Sequence, residues 1–245
     1  MGAQMATKSG FEKWQDGINA ARGNKKWDMW DCEIRQAVNE YNRHLAGTSG
    51  YRPLNWLYIK AMIWVESGAT SSEWERKPMQ IGVVGDPGLD ELLSGHGGEL
   101  ILPPGWRSKL SFSAVRSLPA YNIRAGIGYL LLRSANFQYK NVVELNSEIE
   151  RVTVKNGDSF DKIARTHNTT IETLKQLNPH ANILHAGEVL KYQRSRIKRV
   201  IVGWKGLTIE NIAERYNTNR DSRYANKLTY ALSAIQQRGT SACAK

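Results

Sequence analysis

Two cysteines, five scattered histidines and the lack of any long apolar run exclude several kinds of protein before a motif is read. Cys32 and Cys243 are too few for a disulfide scaffold; one bridge between distant parts of the chain and two free thiols both fit the sequence. The histidines have no metal-ligand spacing, so neither a metal nor any other cofactor is expected. No stretch approaches the roughly 20 apolar residues of a membrane-spanning helix, so no membrane span is expected. The opening stretch MGAQMATKSGFEKWQDGINAARG has no apolar segment of the secretory type, and Ala6 stands where a myristoylation signal has Ser or Thr. The expectation is therefore a chain with no signal peptide, made in the cytoplasm. Acidic residues are also in deficit: 23 against 34 Lys and Arg, a formal net charge of +11. Such a surface attracts polyanions, whether nucleic acid, anionic lipid or bacterial wall, and charge alone does not choose among them.

What is present is mostly helical. A chain of 245 residues with 41% apolar content can bury the core of one large domain or two smaller ones. In WDMWDCEIRQAVNEYNRHLAG, Trp30, Ile34, Val38 and Tyr41 recur at helical spacing. LNWLYIKAMIWVESG predicts a second, strongly apolar helix closed by Gly68. Residues 69–117 are rich in Gly, Pro and Ser, with room for a short helix at DELLSG. NIRAGIGYLLLRSANF predicts another helix, with Ile123, Ile127, Leu130 and Leu131 on one side. After a basic link, QRSRIKRVIVGWKG, helical spacing returns in LTIENIAERYN and RYANKLTYALSAIQQ.

Between these helices the pattern changes. RVTVKNGDSFDKIARTHNTTIETLKQLNPHANILHAGEVLKY alternates, turns at Asn156-Gly157-Asp158, forms two short helices and alternates again, a β-α-α-β unit. Its Val152-Thr153-Val154, Gly157-Asp158-Ser159, Ile163-Ala164, LKQLNP at 174–179 and GEVL at 187–190 closely resemble the LysM domain family. That resemblance implies binding of N-acetylglucosamine-containing glycans, chiefly peptidoglycan and chitin, in a groove near Gly157, Asp158, Ser159, Asn178, Pro179 and Ile183. The plainer reading of these residues is that they are the turn and cap positions such a unit needs. A second stretch, RVIVGWKGLTIENIAERYN at 199–217, echoes the first and leaves open a truncated repeat. Against it, no LxxLNP or closing GxxL follows.

The remaining puzzle is a carboxylate at the end of a hydrophobic helix, in MIWVESGATSSEWERKPMQIG. A glutamate forced toward an apolar interior keeps its proton near neutral pH, which is how a general acid is made. The stretch resembles the catalytic region of goose-type lysozymes and lytic transglycosylases, in which a helix ends in Glu-Ser and GLMQI follows. Met79-Gln80-Ile81 agree with that pattern; Lys77-Pro78 depart from it. NIRAGIGYLL resembles the family's next helix at Asn122, Ile123, Ala125, Gly126, Tyr129 and Leu130. The family's helix-ending Tyr-Asn appears only beyond the LysM-like unit, at Tyr216-Asn217, with Asn219 where Gly is usual. The resemblance implies a mainly α, lysozyme-like domain over residues 1–150 and 196–245, interrupted by a LysM-like insertion at 151–195.

It further implies a muramidase acting on peptidoglycan, with Glu66 as the acid and Ser67, Met79, Gln80, Asn122, Tyr216 and Asn217 lining the substrate subsites. Hydrolysis by inversion needs a second carboxylate roughly 6.5–9.5 Å away, whereas a transglycosylase needs none. Glu73, Glu75, Asp86 and Asp90 lie in the loops that could face Glu66, and no motif selects one. Trp74 and Trp106 are expected in the cleft loops, against sugar faces; Trp14, Trp27, Trp30, Trp56 and Trp64 are expected in the core. Nucleic acid is not expected as a partner, since no recognition motif accompanies the charge. A wall enzyme without a leader suggests delivery by a secretion system or a phage, to act in the periplasm. A delivered effector would call for a cognate immunity or inhibitor protein. The alternative is a peptidoglycan-binding protein without catalysis.

Overall fold

The computed structural model describes residues 7–21, 23–144, 146–217, 221–239 and Cys243; Asn219 lies outside them. Twelve α-helices, one short 3-10 helix (Lys25–Asp28) and four strands are formed among these residues. In chain order the α-helices and strands begin with α1 (Gly10–Asn19), α2 (Asp31–Leu45), α3 (Trp56–Glu66), α4 (Gly88–Leu93), α5 (Gly98–Ile101), α6 (Pro104–Arg107), α7 (Phe112–Ser117) and α8 (Pro119–Ser134). There follow β1 (Ala135–Val143), β2 (Glu150–Thr153), α9 (Phe160–Thr166), α10 (Ile171–Leu177), β3 (Val189–Tyr192), β4 (Ser195–Trp204), α11 (Ile209–Tyr216) and α12 (Tyr224–Arg238). About half of the chain is helical, and the strands form two two-stranded sheets, β1 with β4 and β2 with β3. The chain forms two compact units, residues 1–136 with 201–245, and residues 137–200. The smaller is thus wider than the 151–195 expected from the motif.

In the larger unit α3 has no polar face. Ile59 through Trp64 are buried in succession, so the helix is enclosed on all sides, and its neighbours include α2 and α12. It starts where the Asn55 side chain accepts the Leu57 N–H, satisfying a helix-end donor. It stops where the Ser67 and Gly68 N–H groups both reach the Ile63 carbonyl, with Gly68 at φ 65°. A left-handed residue at that point ends a helix, and only glycine adopts it without strain. Lys60, in the middle of this apolar helix, is tolerated because Asp28 and Asp31 meet its ammonium at 2.6 and 2.8 Å.

Helix α8, entered through Pro119, is the second enclosed helix and packs against α2, α4, α5, α7 and α11. Its buried Arg124 is paired with Glu33 and with Glu40, the latter at 2.8 Å. Helix α12 lies along α3 and also meets α11 and α1. Its last residue, Arg238, holds Asp28 at 2.6 Å. Cys32 on α2 and Cys243 form a disulfide, so the two thiols that the sequence left open are joined across 211 residues.

In the smaller unit β2 and β3 pair antiparallel, Glu150 opposite Tyr192 and Thr153 opposite Val189. Val154, Ile163, Ala164, Leu174, Ala181, Leu190 and Tyr192 make its core beneath α9 and α10. The Ser159 and Thr170 side chains cap these helices by accepting the Lys162 and Thr173 N–H groups.

Two elements depart from the expected layout. Residues 135–137, expected at the end of the NIRAGIGYLLLRSANF helix, open β1, and the supposed basic link is β4. Residues 199–204 of the stretch that echoes the LysM-like motif belong to β4, paired with β1, and 209–216 form α11, packed on α8 and α12. The next element is the long α12 rather than a second short helix and a closing strand, so this stretch builds no second β-α-α-β unit.

Candidate active site

Where α3 runs out, Glu66 opens into a cavity of about 470 Å³ in the larger unit. Gln80, Asp86, Tyr129, Tyr216, Asn217, Asp221, Tyr224 and Lys227 share its wall. The Tyr224 hydroxyl donates to Glu66 Oε1 at 2.5 Å. Loss of hydration lifts the Glu66 carboxyl from its ordinary 4.5 to about 7. The Tyr224 hydrogen bond pulls it down, the negative charge of Asp86 pushes it up, and Lys227 and Asp221 act weakly in opposite senses. The phenols of Tyr216 and Tyr224 are pushed well above their usual range, first by burial and then by the neighbouring Glu66 charge. Both hydroxyls therefore remain donors at any working pH. A carboxyl that titrates near neutrality beside fixed donors can give up and retake a proton.

The loop facing Glu66 is built from the backbone outward. Asn122, on α8, accepts the Met79 N–H at 2.8 Å and donates to the carbonyls of Ile81 and Val115, each at 3.0 Å. Its amide has no surface exposure. The Met79 side chain is equally enclosed, and it packs so close to α8 that a Cβ on Gly126 would meet its Cβ at 2.7 Å. Gly126 is thus the clearance that lets the loop approach the helix. The Tyr216 hydroxyl donates to the Met79 carbonyl at 2.8 Å, and the Ser67 hydroxyl to the Pro78 carbonyl at 2.9 Å. Gln80, held at φ 53°, donates its side-chain amide to the Lys77 carbonyl.

These contacts correct two expectations. Asn122 does not line the cavity; its amide is consumed in holding the wall from behind, whereas Met79, its side chain buried, is among the lining residues. Ser67 is not among the lining residues, its hydroxyl being spent on the Pro78 carbonyl. Glu66, Gln80, Tyr216 and Asn217 do share the cavity, Asn217 with its side-chain amide bonded to the Asp221 backbone in both directions.

Among the four acids considered as a second carboxylate, only Asp86 lines the cavity. Its two oxygens accept the Gly82 and Gly88 N–H groups, each at 3.0 Å. Glu73 is paired with Arg76 and Lys77, Glu75 with Lys26, and Asp90 is exposed on α4. The aromatic residues are also redistributed. Trp74 is fully buried, 5.9 Å from Trp27, and Trp106 stacks on Arg124 at 4.0 Å and against Tyr121; neither lines the cavity. Trp27 and Trp64 are core residues, whereas Trp14, Trp30 and Trp56 are half-buried.

Sequence reasoning named Tyr129 only as a motif position of its helix, and did not pick out Asp221, Tyr224 or Lys227. The signal for these three was the spacing in DSRYANK, where Asp221, Tyr224 and Lys227 recur every third residue across the start of the last helix. The Asp221 carboxylate is held below its usual range, first by the Lys227 ammonium at 2.7 Å and then by the Arg223 N–H. Among the described residues no group of His, Cys, Asp and Glu is arranged to hold a metal ion, and no helix is long and apolar enough to cross a membrane.

In the smaller unit, Gly157 takes φ 79° in the turn after β2, where its lack of a side chain avoids strain. Asp158 accepts the Lys155 N–H, and Ser159 caps α9. Asn178 ties the end of α10 to β3: it donates to the Leu174 and Lys191 carbonyls and accepts the Lys191 N–H. Pro179 is exposed, and Ile183 is 74% exposed, an apolar side chain this small core leaves out. Residues 152–191 match the LysM domain family, and this segment is a LysM domain. A LysM domain implies peptidoglycan binding. No curated protein and no solved structure matches the chain.

Proposed function

We propose that the chain cleaves the glycan strands of peptidoglycan, with Glu66 as general acid and the LysM domain holding the enzyme on the wall. The observation that carries this reading is the state of Glu66. It is a carboxyl lifted to about 7 by dehydration, at the wall of a polar cavity, with a phenol donating to its other form. The loop that resembles the lysozyme motif, Met79-Gln80-Ile81, forms the facing wall.

In this reading the bond between C1 of an N-acetylmuramyl residue and O4 of the next N-acetylglucosamine breaks as Glu66 gives its proton to O4. Positive charge then develops on the muramyl ring. The Glu66 carboxylate so formed is stabilised by the Tyr224 hydroxyl, and the Asp86 carboxylate faces the same space. Two routes complete the reaction. Water adds to C1 and leaves a reducing end, or the muramyl C6 hydroxyl closes on C1 and leaves an anhydro ring; in either, the proton released restores an acid. Its place of action is the cell wall, to which the net charge of +11 draws it.

The test is mass spectrometry of purified wall digested by wild type and by Glu66→Gln. Release of muropeptides by wild type and its absence with Glu66→Gln is the expected result, with anhydro or reducing ends naming the route. Equal release by both proteins refutes the catalytic assignment. Release by neither, with wall binding intact, leaves a peptidoglycan-binding protein.

A further inference from the structure

At the opposite end of α3 from Glu66, a second cavity of about 580 Å³ opens in the larger unit. It is lined by the rings of Tyr51, Tyr58 and Trp204 and by two cations, Arg52 and Lys205. We propose that this cavity is a second binding site for wall fragments, taking a sugar ring against its aromatic wall and a stem-peptide carboxylate against its cations. The inference rests on the reading that the chain acts on peptidoglycan.

The aromatic wall is built rather than incidental. Tyr51 and Trp204 meet edge to face, their ring centres 4.9 Å apart. Their polar atoms are turned inward: the Tyr51 hydroxyl donates to Asn42 Oδ1 at 2.7 Å, and the Trp204 indole N–H to Thr48 Oγ1 at 3.0 Å. What these two rings offer the cavity is therefore carbon surface in a set orientation. A pyranose presents a face of C–H bonds that packs on such a surface while its hydroxyls stay at the rim.

The charge points the same way. Among the described residues no Asp or Glu lines this cavity, and neither Arg52 nor Lys205 has an ion-pair partner. An unpaired guanidinium and ammonium beside an apolar ring wall select a ligand that carries a ring and an anion together. A muropeptide does: its sugars supply the face and its stem peptide the carboxylates. Neutral chitin oligomers supply only the first. A nucleotide also combines ring and anion, but the LysM domain at 152–191 favours the wall. Helix α3 rises about 1.5 Å per residue, so its 11 residues set this site about 15 Å from the Glu66 end. Occupancy here would not block the catalytic cavity.

The experiment follows the indole N–H signal of Trp204 in the full-length, 15N-labelled Glu66→Gln protein, assigned through Trp204→Phe. Titration with a purified disaccharide-tetrapeptide is expected to shift that signal saturably. Arg52→Glu/Lys205→Glu is expected to weaken the response at least tenfold while the other indole signals keep their positions, which shows an intact fold. Chitotetraose, without carboxylates, is expected to bind at least tenfold more weakly. An unshifted Trp204 signal, or equal affinity in the charge-reversed protein, overturns the proposal. So does tighter binding of a short oligodeoxynucleotide at the same signal. Wall digestion by wild type with a silent Trp204 removes this site and keeps the muramidase; a shifted Trp204 with no digestion removes the muramidase and keeps the site.

Discussion

Replacing Tyr224 by Phe removes one oxygen and leaves a ring that is 4% exposed, so packing is preserved while the hydrogen bond to Glu66 is lost. That bond, 2.5 Å long, favours the ionised carboxyl and holds the Glu66 pKa down against burial. A hydrogen bond to a charged group contributes about 1.5–3 kcal/mol, and one pKa unit corresponds to about 1.4 kcal/mol. Its loss should raise the Glu66 pKa by about one to two units, from about 7 to 8 or above. The alkaline limb of a rate profile marks the loss of the protonated acid. Initial rates of wall clearing between about pH 5 and 9 should therefore show that limb displaced upward by at least one pH unit in Tyr224→Phe. The rate on the acid side should fall, because the acid is less firmly oriented. A limb that stays in place, or moves toward lower pH, would refute both the role of the phenol and the identity of the acid.

Other outcomes follow from the same contacts. A Glu66 carboxyl raised from 4.5 to about 7 costs folding stability as pH climbs through that window, about 3 kcal/mol in all. The folded form keeps its proton there, whereas the unfolded form gives it up. Urea melts should show Glu66→Gln more stable than wild type by about that amount at pH 8, and nearly equal at pH 4. Asn122→Ala should strip partners from one backbone N–H and two carbonyls in the core, at about 1–3 kcal/mol for each buried group left unpaired. Melting temperature and wall clearing should fall together, because the Met79 loop loses its anchor. Cys32→Ser opens a bridge spanning 211 residues, for which chain entropy sets a ceiling of about 5 kcal/mol. Dithiothreitol should lower the melting temperature of wild type and leave that of Cys32→Ser unchanged.

Several elements were legible because local signals agreed. Trp30, Ile34, Val38 and Tyr41 mark α2, and the apolar run before Glu66 followed by Gly68 marks α3 and its end. The LysM domain shows in short motifs because its turn, caps and core crowd into about forty residues. Strands β1 and β4 were hidden by composition. NFQYKNVV is largely polar and SRIKRVIV carries three basic residues among its β-branched ones, and neither strand shows the clean alternation of buried and exposed positions that marks a half-buried strand.

In the cavity, Glu66 was legible from its own helix, but its donor Tyr224 lies 158 residues further on, and no local pattern links them. Asn122 misled for a related reason. A polar residue in a motif suggests a ligand contact, whereas its partners here are backbone groups 41 and 43 residues away, brought close only by folding. Trp74 misled in the opposite sense. A tryptophan in a Gly- and Ser-rich loop suggests a sugar platform, yet this loop folds its ring back onto Trp27.

All of the chemistry proposed depends on Glu66 still carrying its proton close to neutral pH. Carbon-13 labelling of the glutamate side-chain carboxyls, with the Glu66 signal assigned by its disappearance in Glu66→Gln, gives the titration of that group in the intact protein. A midpoint near 7 is the expected result, and a midpoint near the ordinary 4.5 would contradict the assignment of Glu66 as the acid.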